Sequence, residues 1–226
     1  MGEPKTLTDE QLEKAFVDFK KAREEEHSRL RSWEHCFGQF KDALKSGKRD
    51  EETADYLSLH LGFYLASWGM MRNSDLMGYD YKIHIPLVKA ILDFPDLCGK
   101  NPEDFCDEQN GAALLGRMEK LYECVKDHCA QFCHAKTYEA SGTLMSKIML
   151  GTLGIVPAYD QKVCSVLNAY DIATSTFNME SVKKFARYFT ANHTEAVGRM
   201  TEEMQKINPL YTRAKVIDGL LWFIGN

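Results

Sequence analysis

Apolar residues recur at helical spacing along almost the whole chain, and the breaks between them carry turn or capping residues. Thr8, followed three residues later by Gln11, forms a capping-box signal. Behind it, Phe16, Phe19, Leu30, Trp33, Phe37, Phe40 and Leu44 predict one long helix, or two joined near Glu26. After the break at SGKRDEE, the stretch TADYLSLHLGFYLASWGMM is apolar on nearly every side, the pattern of a buried central helix. Arg72, Asn73 and Ser74 end it, and Pro86 fits the first turn of the next helix, PLVKAILDF.

The segment 93–110 is the richest in turn residues and reads as an irregular loop. Any boundary between two lobes falls there; otherwise 1–226 reads as a single all-α domain. A helix is expected from about Ala112 to His134, a long amphipathic one from Ser181 to Met204, and a last one over TRAKVIDGLLWFIGN. No strand alternation persists beyond a few residues and no repeat is present, so the predicted fold is all-α with about eight to ten helices.

Between these lies SGTLMSKIMLGTLGIVPAYDQKVCSVL, residues 141–167. It predicts a short helix ending at Gly151 or Gly154, a tight connection through Pro157, and a second helix opening at Asp160. Backbone N–H groups and one carboxylate then meet at a helix start. Asp160 reads either as an N-cap or as a catalytic carboxylate held at a cleft. Lys147, thirteen positions earlier, can face it across the turn, either as a solvated surface lysine or as a desolvated Schiff-base nucleophile.

Composition narrows the function classes. With 28 basic against 33 acidic residues and a net charge of -5, the whole surface is unsuited to tight nonspecific nucleic-acid binding, though a local basic face is compatible. Seven cysteines, an odd set without a secretory signal ahead of them, and no membrane-length apolar run place the chain in a reducing cytoplasm. Phosphate-binding glycine loops, GxSxG elbows and HExxH are all missing.

Two further clusters stand out. Trp68, Arg72, Asn73, Tyr79, Tyr81, Lys82 and His84 interleave aromatics with donors, which suits stacking on a flat base and reading its edge; the bland reading is a packed loop. Cys124, His128, Cys129, Cys133 and His134 look like metal ligands at first. On one helix, however, they divide between two faces about 140° apart, and paired CxxC knuckles are missing, so no metal is expected.

The stretch 141–167 resembles the core of the helix-hairpin-helix DNA glycosylase superfamily. In that family a glycine hairpin and a lysine precede a proline turn and a helix opened by the catalytic aspartate, in the style of GxGxK…PVDTHVxRV. The counterparts here are Gly142, Lys147, Pro157, Asp160, Val163 and Val166. The chain departs from the pattern in having Gly142 alone where two glycines are expected, with one extra residue before Lys147 and one between Pro157 and Asp160. The four-cysteine iron–sulfur loop of some members is absent. FYLASWGMMR, YKIHIP and SKIMLGTLGIVPAYD also resemble a group of small bacterial proteins. Related helix-hairpin-helix-like proteins act in phage defence, where a glycosylase removes modified cytosines from invading DNA.

The resemblance implies a two-lobed all-α domain that hydrolyses the N-glycosidic bond of a flipped base, with DNA as partner, no membrane and no cofactor. Asp160 and Lys147 would be catalytic. Trp68, Arg72, Asn73, Tyr79, Tyr81 and His84 would form the base pocket, and Lys82, Gly142, Thr143 and Lys162 would contact DNA. Two other readings stay open: a noncatalytic nucleic-acid or nucleotide binder of the same fold, and a helical interaction protein whose capped turn does no chemistry. The oligomeric state is left open.

Overall fold

A computed structural model describes residues 6–72, 75–132 and 141–226; Asn73, Cys133 and His134 of the clusters above lie outside them. Among the described residues the chain is all-α, with ten α-helices and no strand. They are α1 (Asp9–Glu24), α2 (Arg31–Ser46), α3 (Glu51–Ser67), α4 (Ile85–Ile91), α5 (Gly111–Ala130), α6 (Gly142–Leu153), α7 (Gln161–Ala169), α8 (Met179–Asn192), α9 (Thr194–Ile207) and α10 (Arg213–Ile224). No helix among the described residues is long and apolar enough to cross a membrane.

Several boundaries follow from local chemistry. Thr8 and Gln11 close the capping box on α1, with Gln11 N–H donating to Thr8 Oγ1 at 3.3 Å and Thr8 N–H to Gln11 Oε1 at 3.0 Å. The first long apolar stretch divides into α1 and α2, and the break passes through His27 at φ 57°. The segment 93–110 contains two short 3-10 turns, Pro95–Leu97 and Pro102–Cys106, and it is packed: Leu97 and Phe105 are buried and α8 lies against the second turn.

Two expectations are corrected. The helix predicted over Ser181–Met204 is two helices, α8 and α9, joined at His193. His193 has φ -136°, which no α-helix accommodates, and its Nδ1 lies 2.7 Å from Asp9 Oδ1 on α1. The helix expected to be central, α3, is not buried on every side: Tyr56 and Leu59 are about half exposed and Phe63 more so.

The central element is α6, in which every residue from Leu144 to Leu153 is buried. It packs on α2, α3 and α5. Its polar side chains are accommodated internally: Ser146 Oγ donates to Gly142 O at 2.7 Å and Thr152 Oγ1 to Ile148 O at 2.8 Å. Gly151 lets α3 approach, because a Cβ there would lie 2.5 Å from the Tyr64 ring. Trp33 of α2 stacks on Phe37 and donates its indole N–H to Leu150 O at 2.8 Å. Around this axis α1 and α9 pack on α10, and α7 packs on the other end of α10.

Candidate functional site

The turn between α6 and α7 is held on all sides. Gly154 ends α6 in the left-handed conformation at φ 67°, and its N–H donates to Leu150 O and Met149 O. Its carbonyl accepts from Thr212 Oγ1 at 2.7 Å. Ala158 N–H donates to Asp218 Oδ1 at 2.8 Å, and Tyr159 N–H to Ser146 Oγ at 2.8 Å. Thr143 Oγ1 donates to Tyr159 O at 2.7 Å. A turn pinned at both ends fixes the position of the next residue in the chain, Asp160.

Asp160 is the N-cap of α7: its Oδ1 accepts from Val163 N–H at 3.1 Å. Its other oxygen, Oδ2, lies 3.5 Å from Lys147 Nζ. The lysine side chain is only 4% exposed, the aspartate 19%. Cap and ion pair therefore share one carboxylate, one oxygen each. Lys147 Nζ also sits 4.6 Å from the centroid of the Trp68 ring, which stands at the C-cap of α3.

A second pair lies beside the first. Lys215 and Asp218, three residues apart on α10, are joined at 2.7 Å and both are buried. Lys215 Nζ is 5.7 Å from the Trp68 centroid and 5.7 Å from that of Trp33. Trp68 thus lies within reach of both ammonium groups. Burial pushes the Lys147 pKa below the ordinary lysine value and the Lys215 charge adds to the effect, while Asp218 and Asp160 oppose it. The net result is a lysine whose neutral amine is more accessible than that of a surface lysine.

The other residues singled out in the sequence make different contacts. Tyr81 Oη donates to Asp55 Oδ2 at 3.3 Å and Lys82 Nζ lies 3.7 Å from Asp55 Oδ1, both on the flank of α3. Tyr79 packs on Phe132, with ring centroids 6.0 Å apart. His84 is buried against His128, Nδ1 to Nε2 at 3.3 Å, and burial lowers both imidazoles to about 4. Arg72 is exposed. Gly142 starts α6 against Phe177, where a Cβ would sit 2.9 Å from that residue's own Cβ. Lys162 lies on α7 two residues beyond Asp160, with Nζ 3.9 Å from the Trp222 ring centroid. Among the described residues no group of three His, Cys, Asp or Glu side chains is placed to hold a metal ion.

Sequence reasoning missed Lys215 and Asp218. Their signal was two charges spaced i, i+3 in an otherwise apolar last helix, which only burial turns into a statement about a site. It also missed Trp222 and Arg29. Compared with known protein families, with curated proteins and with solved structures, the chain matches none.

Proposed function

We propose that this protein is a DNA glycosylase in which Asp160 and Lys147 carry the chemistry on a nucleotide flipped out of the duplex. The observation that carries the reading is Lys147 itself: a lysine whose side chain is 4% exposed, its pKa lowered by burial, 3.5 Å from the Asp160 carboxylate. A lysine so enclosed is poorly placed to hold a solvent-facing phosphate and well placed to act as a nucleophile.

Breaking an N-glycosidic bond develops positive charge on the sugar, and a carboxylate fixed by a helix N-terminus stabilises that charge. The neutral amine of Lys147 forms a bond to C1′ while the bond from C1′ to the base breaks, its electron pair leaving on the base nitrogen. Asp160 takes the proton released from the amine and returns it to the departing base. A second proton, drawn from solvent, passes to the sugar O4′, opens the ring and leaves a protonated imine on Lys147. Water in place of the amine gives simple hydrolysis with the same carboxylate. Trp68, 4.6 Å from the Lys147 ammonium, offers an aromatic face for the flipped nucleotide.

Borohydride reduction tests this, because it converts the imine into a stable covalent adduct with an oligonucleotide. Incubation with duplexes carrying abasic sites or modified bases should give an adduct that Lys147→Met abolishes. Base release that persists unchanged in Asp160→Asn sinks the assignment. The exposed stripe Tyr56, Leu59 and Phe63 on α3 favours a second reading, a helical interaction protein; that reading stands if no DNA binds even at low salt.

A further inference from the structure

The rim of the Lys147 site carries two cations that the pair chemistry does not use. Arg29, in the connection between α1 and α2, places its guanidinium carbon 4.9 Å from the Trp68 centroid and 5.6 Å from the Trp222 centroid. Lys162 lays its ammonium 3.9 Å from the Trp222 centroid and donates one proton to the amide oxygen of Asn226. The two indoles meet edge to face at 6.4 Å. Arg29 is exposed and Lys162 half-buried, so their heads are open to an incoming group.

These two are held by tryptophan faces. Arg23, Arg49, Arg117, Arg199 and Arg213 each pair with a carboxylate. Neither Arg29 nor Lys162 has a carboxylate side-chain partner among the described residues, in a chain with 33 acidic side chains. An aromatic face orients a cation without neutralising it and leaves N–H donors free for an anion. The arrangement also touches the site directly: Trp68 faces Arg29 on the exposed side and Lys147 inside, and Lys162 is two residues from Asp160. In a nucleotide the sugar carbon and its two phosphates are separated by only a few bonds, so grips for those phosphates belong one ring width from the nucleophile.

We propose that Arg29 and Lys162, each laid on a tryptophan face, hold the phosphodiesters that flank the nucleotide reacting at Lys147. This rests on the glycosylase reading and names the part of the strand that the rim recognises. The ligand class is a phosphodiester strand; a free nucleotide offers related phosphate chemistry, and competition separates the two.

The test is fluorescence anisotropy with a labelled single-stranded oligonucleotide carrying a central tetrahydrofuran abasic analogue, titrated over a series of KCl concentrations. Arg29→Gln and Lys162→Gln should each lower the slope of log K against log salt by about 0.7, the value for one phosphate contact on a single strand, and the double variant by about twice that. Lys89→Gln, which removes an exposed cation paired with Glu51 at the far end of α3, should leave the slope unchanged. Wild-type binding with an unaltered slope in both rim variants overturns the rim assignment and leaves the glycosylase reading standing. Displacement of the oligonucleotide by a nucleoside monophosphate at equal phosphate concentration overturns the strand assignment. Absence of binding by the wild-type protein at low salt overturns both.

Discussion

Glu34 and Lys147 are both charged residues inside the helical core, and the protein treats them in opposite ways. Glu34 receives a full set of donors: Arg23 Nε and Nη2 each at 2.9 Å, Tyr211 Oη at 2.8 Å and Asn208 Nδ2 at 2.7 Å. Lys147 has three protons to place, one long contact to Asp160 and the face of Trp68. The first charge is saturated and ties α1 and α2 to the segment before α10. The second has few partners among the described residues. A buried charge with every valence met ties segments together, whereas a thinly paired one costs stability, and perturbed buried groups of that kind cluster at functional sites.

The largest effect that would break this contrast is on activity. Lys147→Met should reduce borohydride trapping to background while the protein melts at or above the wild-type temperature, because burial outweighs the ion pairs of the amine that is removed, and Asp160, 19% exposed, keeps the bond from Val163 N–H. Asp160→Asn should lower the single-turnover rate about a hundred- to thousandfold, the range for loss of one electrostatic stabiliser. If Lys147→Met instead unfolds the protein, the pair is structural and the contrast fails.

Next in size is the saturated side. Glu34→Ala leaves Arg23 buried without its carboxylate and should cost about 3–5 kcal/mol in urea unfolding, the range for breaking one partner of a buried pair. A loss under about 1 kcal/mol, typical of surface ion pairs, would show that the node is not the structural anchor its geometry describes.

Smaller still is the coupling between scaffold and site. Gly154 has φ 67°, and a Cβ added there would lie 3.0 Å from Thr212 Cγ2 and 3.1 Å from the Phe37 ring. Gly154→Ala should cost about 1–3 kcal/mol from strain and overpacking. It should also slow trapping at temperatures where the variant is fully folded, since this turn aims Asp160 at Lys147. Normal trapping in a destabilised variant would mean that the turn supports the fold without positioning the carboxylate.

These residues also show what the sequence makes legible. The capping box at Thr8, the stop at Gly154, one of the two glycines the sequence offered, and the cap reading of Asp160 are local, each set by residues within a turn of one another, and all three are present. The all-α class follows from the same local periodicity. The break at His193 left no mark, because α8 and α9 both bury apolar faces and the joint holds neither glycine nor proline; its contact to Asp9 comes from the other end of the chain. The centrality of α6 was hidden by three polar letters, Ser146, Lys147 and Thr152: the two hydroxyls are satisfied by their own helix, and the lysine is buried with one long contact to Asp160. The neighbours of Lys147 were likewise out of reach, since Trp68, Lys215 and Arg29 converge from three distant segments.

The finest test of the contrast is pH. Burial alone would raise the Glu34 carboxyl, but the bonds from Arg23, Tyr211 and Asn208 outweigh it and hold its pKa below the ordinary 4.5. Its contribution to stability is therefore complete above pH 4.5 and is lost as pH falls through the lower, folded-state value. Lys147 runs the other way. With its folded pKa below 10.5, the unfolded chain holds that proton more tightly, so its penalty is fully present below the folded value and is relieved as pH rises toward 10.5. Between wild type and Lys147→Met, the difference in unfolding free energy should shrink on the alkaline side, and Glu34→Gln should flatten the acid limb alone. A difference between wild type and Lys147→Met that stays constant up to pH 10.5 would mean an ordinary lysine pKa. Lys147 would then lack the accessible neutral amine on which its role as nucleophile depends.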